Sequence, residues 1–359
     1  MKRIQVSLAT RIIIMTLILL GFGLIMIYSA SVAEGARDFG NKWHFVQLQL
    51  KWAGVGLIGM MIVSFIPPKI WEKLAPILIT LGLLLLFLVV IPGIGTKVQG
   101  ARRWLFLPFI NLQPSELIKF IEVVYLSSWL QARKITLTQF GFFVALIAGL
   151  IMLQPDMGTT LVVTLLGVSM YYLSGYPVKH LMIIGAIGVT LGSILIIAEP
   201  YRLERVKTFM DPLHDTQGSS YHMRQVLISL GSGGISGLGI GRSRQKYAYL
   251  PEATTDSIFA VVGEELGFIG GIGLVLSFLY YLSLIFKVAS GERDKFASGI
   301  AGGVGAWIGL QVCLNLAAMV ALTPLTGVPL PLVSYGGSAL ITMLGGVGLV
   351  LSVARHQRV

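Results

Sequence analysis

The chain has 359 residues, 55% of them hydrophobic and only 12% charged. A soluble globular chain carries about 25% charged residues, so the composition excludes an ordinary soluble domain and points to an all-α polytopic membrane protein. The formal net charge of +11 suits anionic lipid or an anionic substrate, and equally ordinary topology and headgroup anchoring; no nucleic acid is expected as a partner. The single cysteine, Cys313, allows no internal disulfide, and His44, His180, His214, His222 and His356 are scattered, with no metal-ligand cluster.

Lys2 and Arg3 precede an apolar run, and Ser29-Ala30-Ser31-Val32-Ala33 supplies small residues as a signal peptide would. The uncharged run Ile12–Ala33 is 22 residues long, whereas a cleavable apolar region has roughly 7–15; it reads as a retained first span. About 20 apolar residues cross a bilayer. Charge-poor runs of that order predict about ten transmembrane helices, near 12–33, 52–68, 74–92, 112–131, 136–153, 157–175, 179–198, 257–286, 296–320 and 336–354. Gln154-Pro155-Asp156 and Gly175-Tyr176-Pro177 serve as the breakers between closely spaced spans.

An even count puts both termini on one side. Short loops and tails there carry Lys2, Arg3, Arg11, Lys69, Lys73, Arg133, Lys134, Lys179, Lys287, Arg293, Lys295, Arg355 and Arg358, against fewer cations in the medium loops opposite. Both termini are therefore expected in the cytoplasm. The large loop between helices 7 and 8, residues 199–256, is expected outside, within a single integral membrane domain covering 1–359. Glu199–Met210 alternates charge with Leu203, Val206, Phe209 and Met210, as a surface helix does, and His222–Leu230 reads as another short helix. The glycine run Gly231–Gly241 is either a flexible loop or a backbone nest for an anion; it lacks the strand and βαβ context of a dinucleotide fingerprint.

Charges inside the apolar phase are the functional candidates. Glu116 and Lys119 are three apart and share a helix face, with Glu122 one turn on; they form either a structural ion pair or the polar wall of a substrate cavity. Asp156 follows a helix break, where it caps the next helix or acts directly. Glu264 and Glu265 lie about 12 Å along the eighth span from Asp256; pairing within the bundle is expected for both, with one able to reach a cavity. Arg102-Arg103-Trp104 is either a phosphate site or an interfacial anchor. Arg242, Arg244 and Lys246, just before Asp256, favour the phosphate reading. Asp256 itself stands at the mouth of the largely apolar run Ser257–Phe286, where a carboxylate is costly to desolvate and is a candidate for chemistry. These residues describe an external site with one candidate base and several cations for phosphate, and name no substrate.

Six blocks go further. Gly100–Trp104, Gln113–Lys119, Gln154–Thr159, Tyr249–Asp256, Phe259–Gly267 and Pro329–Ser338 occur in the order found in the SEDS family (shape, elongation, division, sporulation), the FtsW, RodA and SpoVE proteins, which the chain resembles. The resemblance implies a peptidoglycan glycosyltransferase of the bacterial cytoplasmic membrane that polymerises lipid II and works with a class B penicillin-binding protein. It places the essential external acid on Asp256 and the charged pair on Glu116 and Lys119. Substrate-binding roles are expected for Arg102, Arg103, Glu116, Lys119, Arg242, Lys246, Ser334 and Tyr335. No cofactor is firmly implied, although a divalent cation is compatible with a diphosphate. Where relatives often carry His two residues before the acid and an aromatic after it, this chain has Thr254 and Ser257, which concentrates the base role on Asp256. The Gly239–Lys246 stretch is compact, like that of division-type FtsW and sporulation-type SpoVE and unlike the longer one usual in elongation-type RodA; of these branches the chain is expected to be most like FtsW. A lipid II flippase and a non-catalytic divisome scaffold are the rival readings.

Overall fold

The computed structural model describes residues 7–98, 100–106, 111–132, 135–198, 200–210, 220–245 and 250–357; Lys2, Arg3, Arg133, Lys134, His214, Lys246 and Arg358 lie outside them. The helices are α1 (Leu8–Phe39), α2 (His44–Phe65), α3 (Pro68–Leu88), α4 (Pro114–Ala132), α5 (Leu137–Met152), α6 (Met157–Leu173), α7 (Val178–Ala198), α8 (Pro200–Met210), α9 (Tyr221–Gly233), α10 (Ile258–Gly291), α11 (Lys295–Met319) and α12 (Gly337–His356). A helix coincides with each of the ten expected spans, and α8 and α9 are the two short loop helices. By length and composition, α1, α2, α3, α10, α11 and α12 are apolar enough to cross a membrane. Of the rest, α5 and α6 have 16 and 17 residues, and α4 carries three charges.

Several helices run past the bounds of the sequence reading for one reason. The second helix begins at His44 rather than near 52 and runs through exposed Lys51, and the first continues through Glu34, Arg37 and Asp38 to Gly40. A charge ends an apolar run but not a helix; Gly40 does end one, because its φ of 63° reverses the chain at no steric cost. A short antiparallel sheet, β1 (Thr96–Val98), β2 (Ala101–Phe106) and β3 (Asn111–Leu112), joins α3 to α4 and was not anticipated from the charge-poor runs.

The central helix, α4, buries all its charges. Glu116, Lys119 and Glu122 on α4 are all buried, among Ile118, Val123, Val124 and Leu126, and α3, α6, α11 and α12 pack around them. Elsewhere small residues set the spacing. A Cβ on Gly348 of α12 would lie 2.7 Å from the Met60 carbonyl of α2, so those two helices touch backbone to backbone.

A break in α10 organises the external loop. Gly267 has φ 65° and ψ −165°, outside helical space. An unbroken helix would bond the amides of Phe268 and Ile269 to the carbonyls of Glu264 and Glu265. Instead Phe268 N–H donates to the Gly234 carbonyl (2.9 Å) and Ile269 N–H to that of Ile235 (3.1 Å). The freed carbonyls accept from Leu238 N–H (3.0 Å) and Gly239 N–H (2.9 Å). Every backbone group released by the kink thus finds a partner in the glycine run. The run is accordingly a docked strap, neither a flexible loop nor an open anion nest. A Cβ on Gly237 would sit 2.2 Å from the Glu265 carbonyl, which is why the strap is glycine there.

Candidate functional site

The starts of four of the expected spans, together with that of the loop helix α9, meet at one cleft of about 700 Å³. Gln113 and Glu116 line it from the start of α4, Asp156–Thr159 from α6, Thr255 and Asp256 from the turn before α10, and Gly336, Ser338 and Ala339 from the start of α12. Remaining walls come from Arg103 and Trp104 of β2, Glu204 and Phe209 of α8, His222 and Met223 of α9, and the 325–329 loop.

Asp256 is half-buried at the end of a turn held from several directions. Within the turn, Thr255 N–H and Ser257 N–H both donate to the Glu252 carbonyl at 3.1 Å, and Glu252 has φ 49°, an uncommon angle for a residue with a side chain. From α11, Asn315 Nδ2 donates to the Asp256 carbonyl (2.7 Å). From the loop before α12, Ser334 Oγ donates to the Thr255 carbonyl (2.5 Å) and Tyr335 N–H to that of Thr254 (2.8 Å). Thr255 Oγ1 donates to Asp256 Oδ1 at 3.2 Å. Ser334 is buried with both bonds internal, so it positions the turn, whereas Tyr335 lines the cleft. Burial, and secondarily the Glu34 carboxylate, push the Tyr335 phenol above its ordinary range, so it keeps its proton as a donor.

The expected cations are only partly brought together. Arg103 lines the cleft, but its Nε donates to the Gln154 carbonyl (3.0 Å) and its Nη2 to the Pro155 carbonyl, which ties β2 to the turn that carries Asp156. Arg102 pairs in register with Lys97 on β1 and does not line the cleft. Arg242 is exposed beside the glycine strap and Arg244 is exposed next to it; neither lines the cleft. Lys246 lies outside the described residues. The described lining is instead rich in carboxylates: Glu116, Asp156, Glu204, Glu252 and Asp256. Glu204, Glu252 and His222 were missed by sequence reasoning, because nothing in their local spacing says that α8, α9 and the Pro251 turn fold over one cavity. Among the described residues, no three His, Cys, Asp or Glu side chains converge as a metal site.

On α4, Lys119 Nζ donates to Glu116 Oε1 at 2.6 Å with side-chain exposures of 1% and 6%, and it lies 5.7 Å over the Trp307 ring. Glu116 thus faces both the cleft and the core, while Lys119 is behind it. Both Glu122 oxygens are buried without a hydrogen-bond partner among the described residues, against Gly167 of α6. Glu264 and Glu265 do not line the cleft. Both fasten the strap, because Ser243 presents two donors to adjacent acids. Glu264 accepts from Ser243 Oγ (2.5 Å) and Arg244 N–H (2.8 Å), and Glu265 from Ser243 N–H (3.2 Å) and Ser29 Oγ of α1 (2.6 Å).

Asp156 is the N-cap of α6, where its Oδ1 accepts from Thr159 N–H (3.0 Å) and its Oδ2 from Thr159 Oγ1 (2.9 Å). Asp156→Ala is expected to lower stability by about 1 kcal/mol, with Asp156→Asn retaining most of it. Thermal unfolding midpoints in detergent measure both, and an unshifted Asp156→Ala midpoint would refute the capping energy.

Residues 10–359 match the FTSW_RODA_SPOVE family, described as cell cycle protein. The chain is 38% identical over 354 residues to stage V sporulation protein E of Bacillus subtilis (strain 168), covering 97% of both proteins. It is also 38% identical over 358 residues to the probable peptidoglycan glycosyltransferase FtsW of Coxiella burnetii, covering 96% of this chain and 95% of that protein. Among solved structures it is similar to the rod shape determining protein RodA of Thermus thermophilus, with a TM-score of 0.72, 28% identity and coverage of 97% and 96%. It is similar as well to a chain from a study of structural coordination of polymerization and crosslinking by a peptidoglycan synthase complex, with a TM-score of 0.79, 29% identity and coverage of 96% and 97%. With the match running through nearly its whole length, the chain belongs to the FtsW/RodA/SpoVE family of cell cycle proteins.

Proposed function

We propose that the chain is a peptidoglycan glycosyltransferase that polymerises lipid II into glycan strands on the outer face of the membrane, for cell division or shape. It is a multi-pass protein of the bacterial cytoplasmic membrane. In the proposed topology α1–α7 and α10–α12 are ten spans of a single domain, 1–359. Both termini are cytoplasmic and the 199–256 loop is extracytoplasmic. The meeting of four helix starts supports this: α4, α6, α10 and α12 are then the fourth, sixth, eighth and tenth spans, all beginning on the outer side. The naming of the FtsW relatives and the compact 239–246 stretch favour a division-type member.

The observation that carries the mechanism is the half-buried Asp256 facing that cleft. Asp256 accepts the proton of the GlcNAc 4-hydroxyl of the acceptor. The oxygen attacks C1 of the donor MurNAc, the C1–O bond to the diphosphate breaks, and undecaprenyl diphosphate leaves with inversion. A well-placed base contributes about 10²–10⁴-fold. Arg103, with Tyr335 as a proton donor, is nearest to the task of holding substrate; Arg102, Arg242 and Lys246 remain candidates at the rim, and a divalent cation is compatible with the diphosphate. A class B penicillin-binding protein is the proposed partner, crosslinking the strands.

A lipid II transporter is the rival reading, and the buried Glu116–Lys119 pair is its best support. Purified protein with its partner transpeptidase, given lipid II, is expected to make glycan strands resolvable by gel. Flipping of lipid II in liposomes without strand synthesis would favour the transporter instead, and neither activity would leave a scaffold.

A further inference from the structure

On the reading of the cleft as a glycosyl-transfer site, we propose that His222 is a positioning residue for Asp256 and acts through Ser257. Ser257 is the N-cap of α10, where a serine hydroxyl ordinarily accepts from a first-turn N–H, yet it makes no such bond. Its fully buried Oγ is hydrogen-bonded instead to His222 Nε2 at 2.7 Å. Which atom donates follows the imidazole tautomer; the tether holds in either neutral form.

The placement of His222 is built in. It lies in the first turn of α9 and lines the same cleft as Asp256. Its neighbour Met223 and, one turn on, Val226 are buried, and the helix packs along α10. Asn315 holds the Asp256 carbonyl, and Ser334 and Tyr335 hold the two carbonyls before it. His222 holds the residue directly after it, so the turn carrying the carboxylate is fixed from α9 as well as from α11 and the loop before α12. This matters to a base, because proton abstraction needs heavy atoms about 2.6–3.2 Å apart, and a 1 Å misplacement costs up to about 10²-fold. Loss of the tether therefore falls on turnover more than on substrate binding.

The test uses the full chain with its partner transpeptidase, lipid II as substrate, and steady-state kinetics. His222→Ala and Ser257→Ala are each expected to lower kcat about tenfold with little change in KM. The double variant should be no slower than either single one, since both remove the same bond. His222→Gln, whose amide can still bond the serine, should recover kcat to within about threefold of wild type. Full-rate turnover by His222→Ala or by Ser257→Ala, a glutamine as slow as alanine, or multiplying losses in the double variant would each overturn the proposal. Should His222→Ala fail to fold, Ser257→Ala and His222→Gln carry the comparison by themselves. Wild-type protein that makes no strands would overturn the underlying reading and this proposal with it. Strands from wild type, none from Asp256→Asn and full activity from His222→Ala would overturn this proposal alone.

Discussion

Asp256→Asn is expected to abolish glycan-strand synthesis, with a loss of about 10²–10⁴-fold, while the protein stays folded. The substitution keeps the size of the side chain and removes its ability to take a proton. It spares the fold because the turn is held through backbone groups. The Asp256 carbonyl is bonded by Asn315, the Thr255 carbonyl by Ser334 and the Thr254 carbonyl by Tyr335. An unchanged elution profile and melting midpoint, together with absent strands on a gel, is the expected pair of results. Strand synthesis that survives the substitution at more than a few per cent of wild type would sink Asp256 as the base.

Lys119→Met should be the most destabilising of the side-chain changes considered, by about 3–5 kcal/mol. It strands the Glu116 carboxylate, 4% exposed, without the ammonium that sits 2.6 Å away. Adding Glu116→Gln removes the stranded charge and should return much of the loss, because an uncharged pair of similar volume avoids the desolvation of two ions. Thermal melting of the wild type, the single variant and the double variant in one detergent separates the cases. A single variant as stable as wild type, or a double variant no better than the single, contradicts a buried ion pair. Since Glu116 also faces the cleft, activity in the double variant reports whether its charge is used in the reaction.

Helix placement was legible wherever the apolar runs were long, because about 20 residues without charge have few other fates in a chain of this composition. The loop helix α8 was legible from its alternation of charge and apolar residues. Helix ends were not, where a helix simply continues through Lys51 or Arg37 into water. The partners of Glu264 and Glu265 were hidden for a different reason. They follow from the Gly267 break, which redirects four backbone groups to a strap some thirty residues upstream, and one glycine among the five between 263 and 273 does not announce a break. Asp256 stood out because a carboxylate at the edge of a membrane helix is unusual. The cleft around it did not, since Glu204, His222 and Glu252 are brought in by folding of the loop.

The four helix starts at the cleft have an electrostatic consequence. Each helix presents roughly half a positive charge at its beginning, carried by N–H groups that lack intrahelical partners. The first residues of α10 and α12 are reached through Ser257 and Gly336, neither of which caps its helix with a side chain. Dipoles from α4, α6, α10 and α12 therefore oppose the carboxylates that line the same space. On the proposed reading of the cleft, a leaving diphosphate would meet a field supplied in part by the backbone. No side-chain substitution deletes that contribution, and no change of pH titrates it.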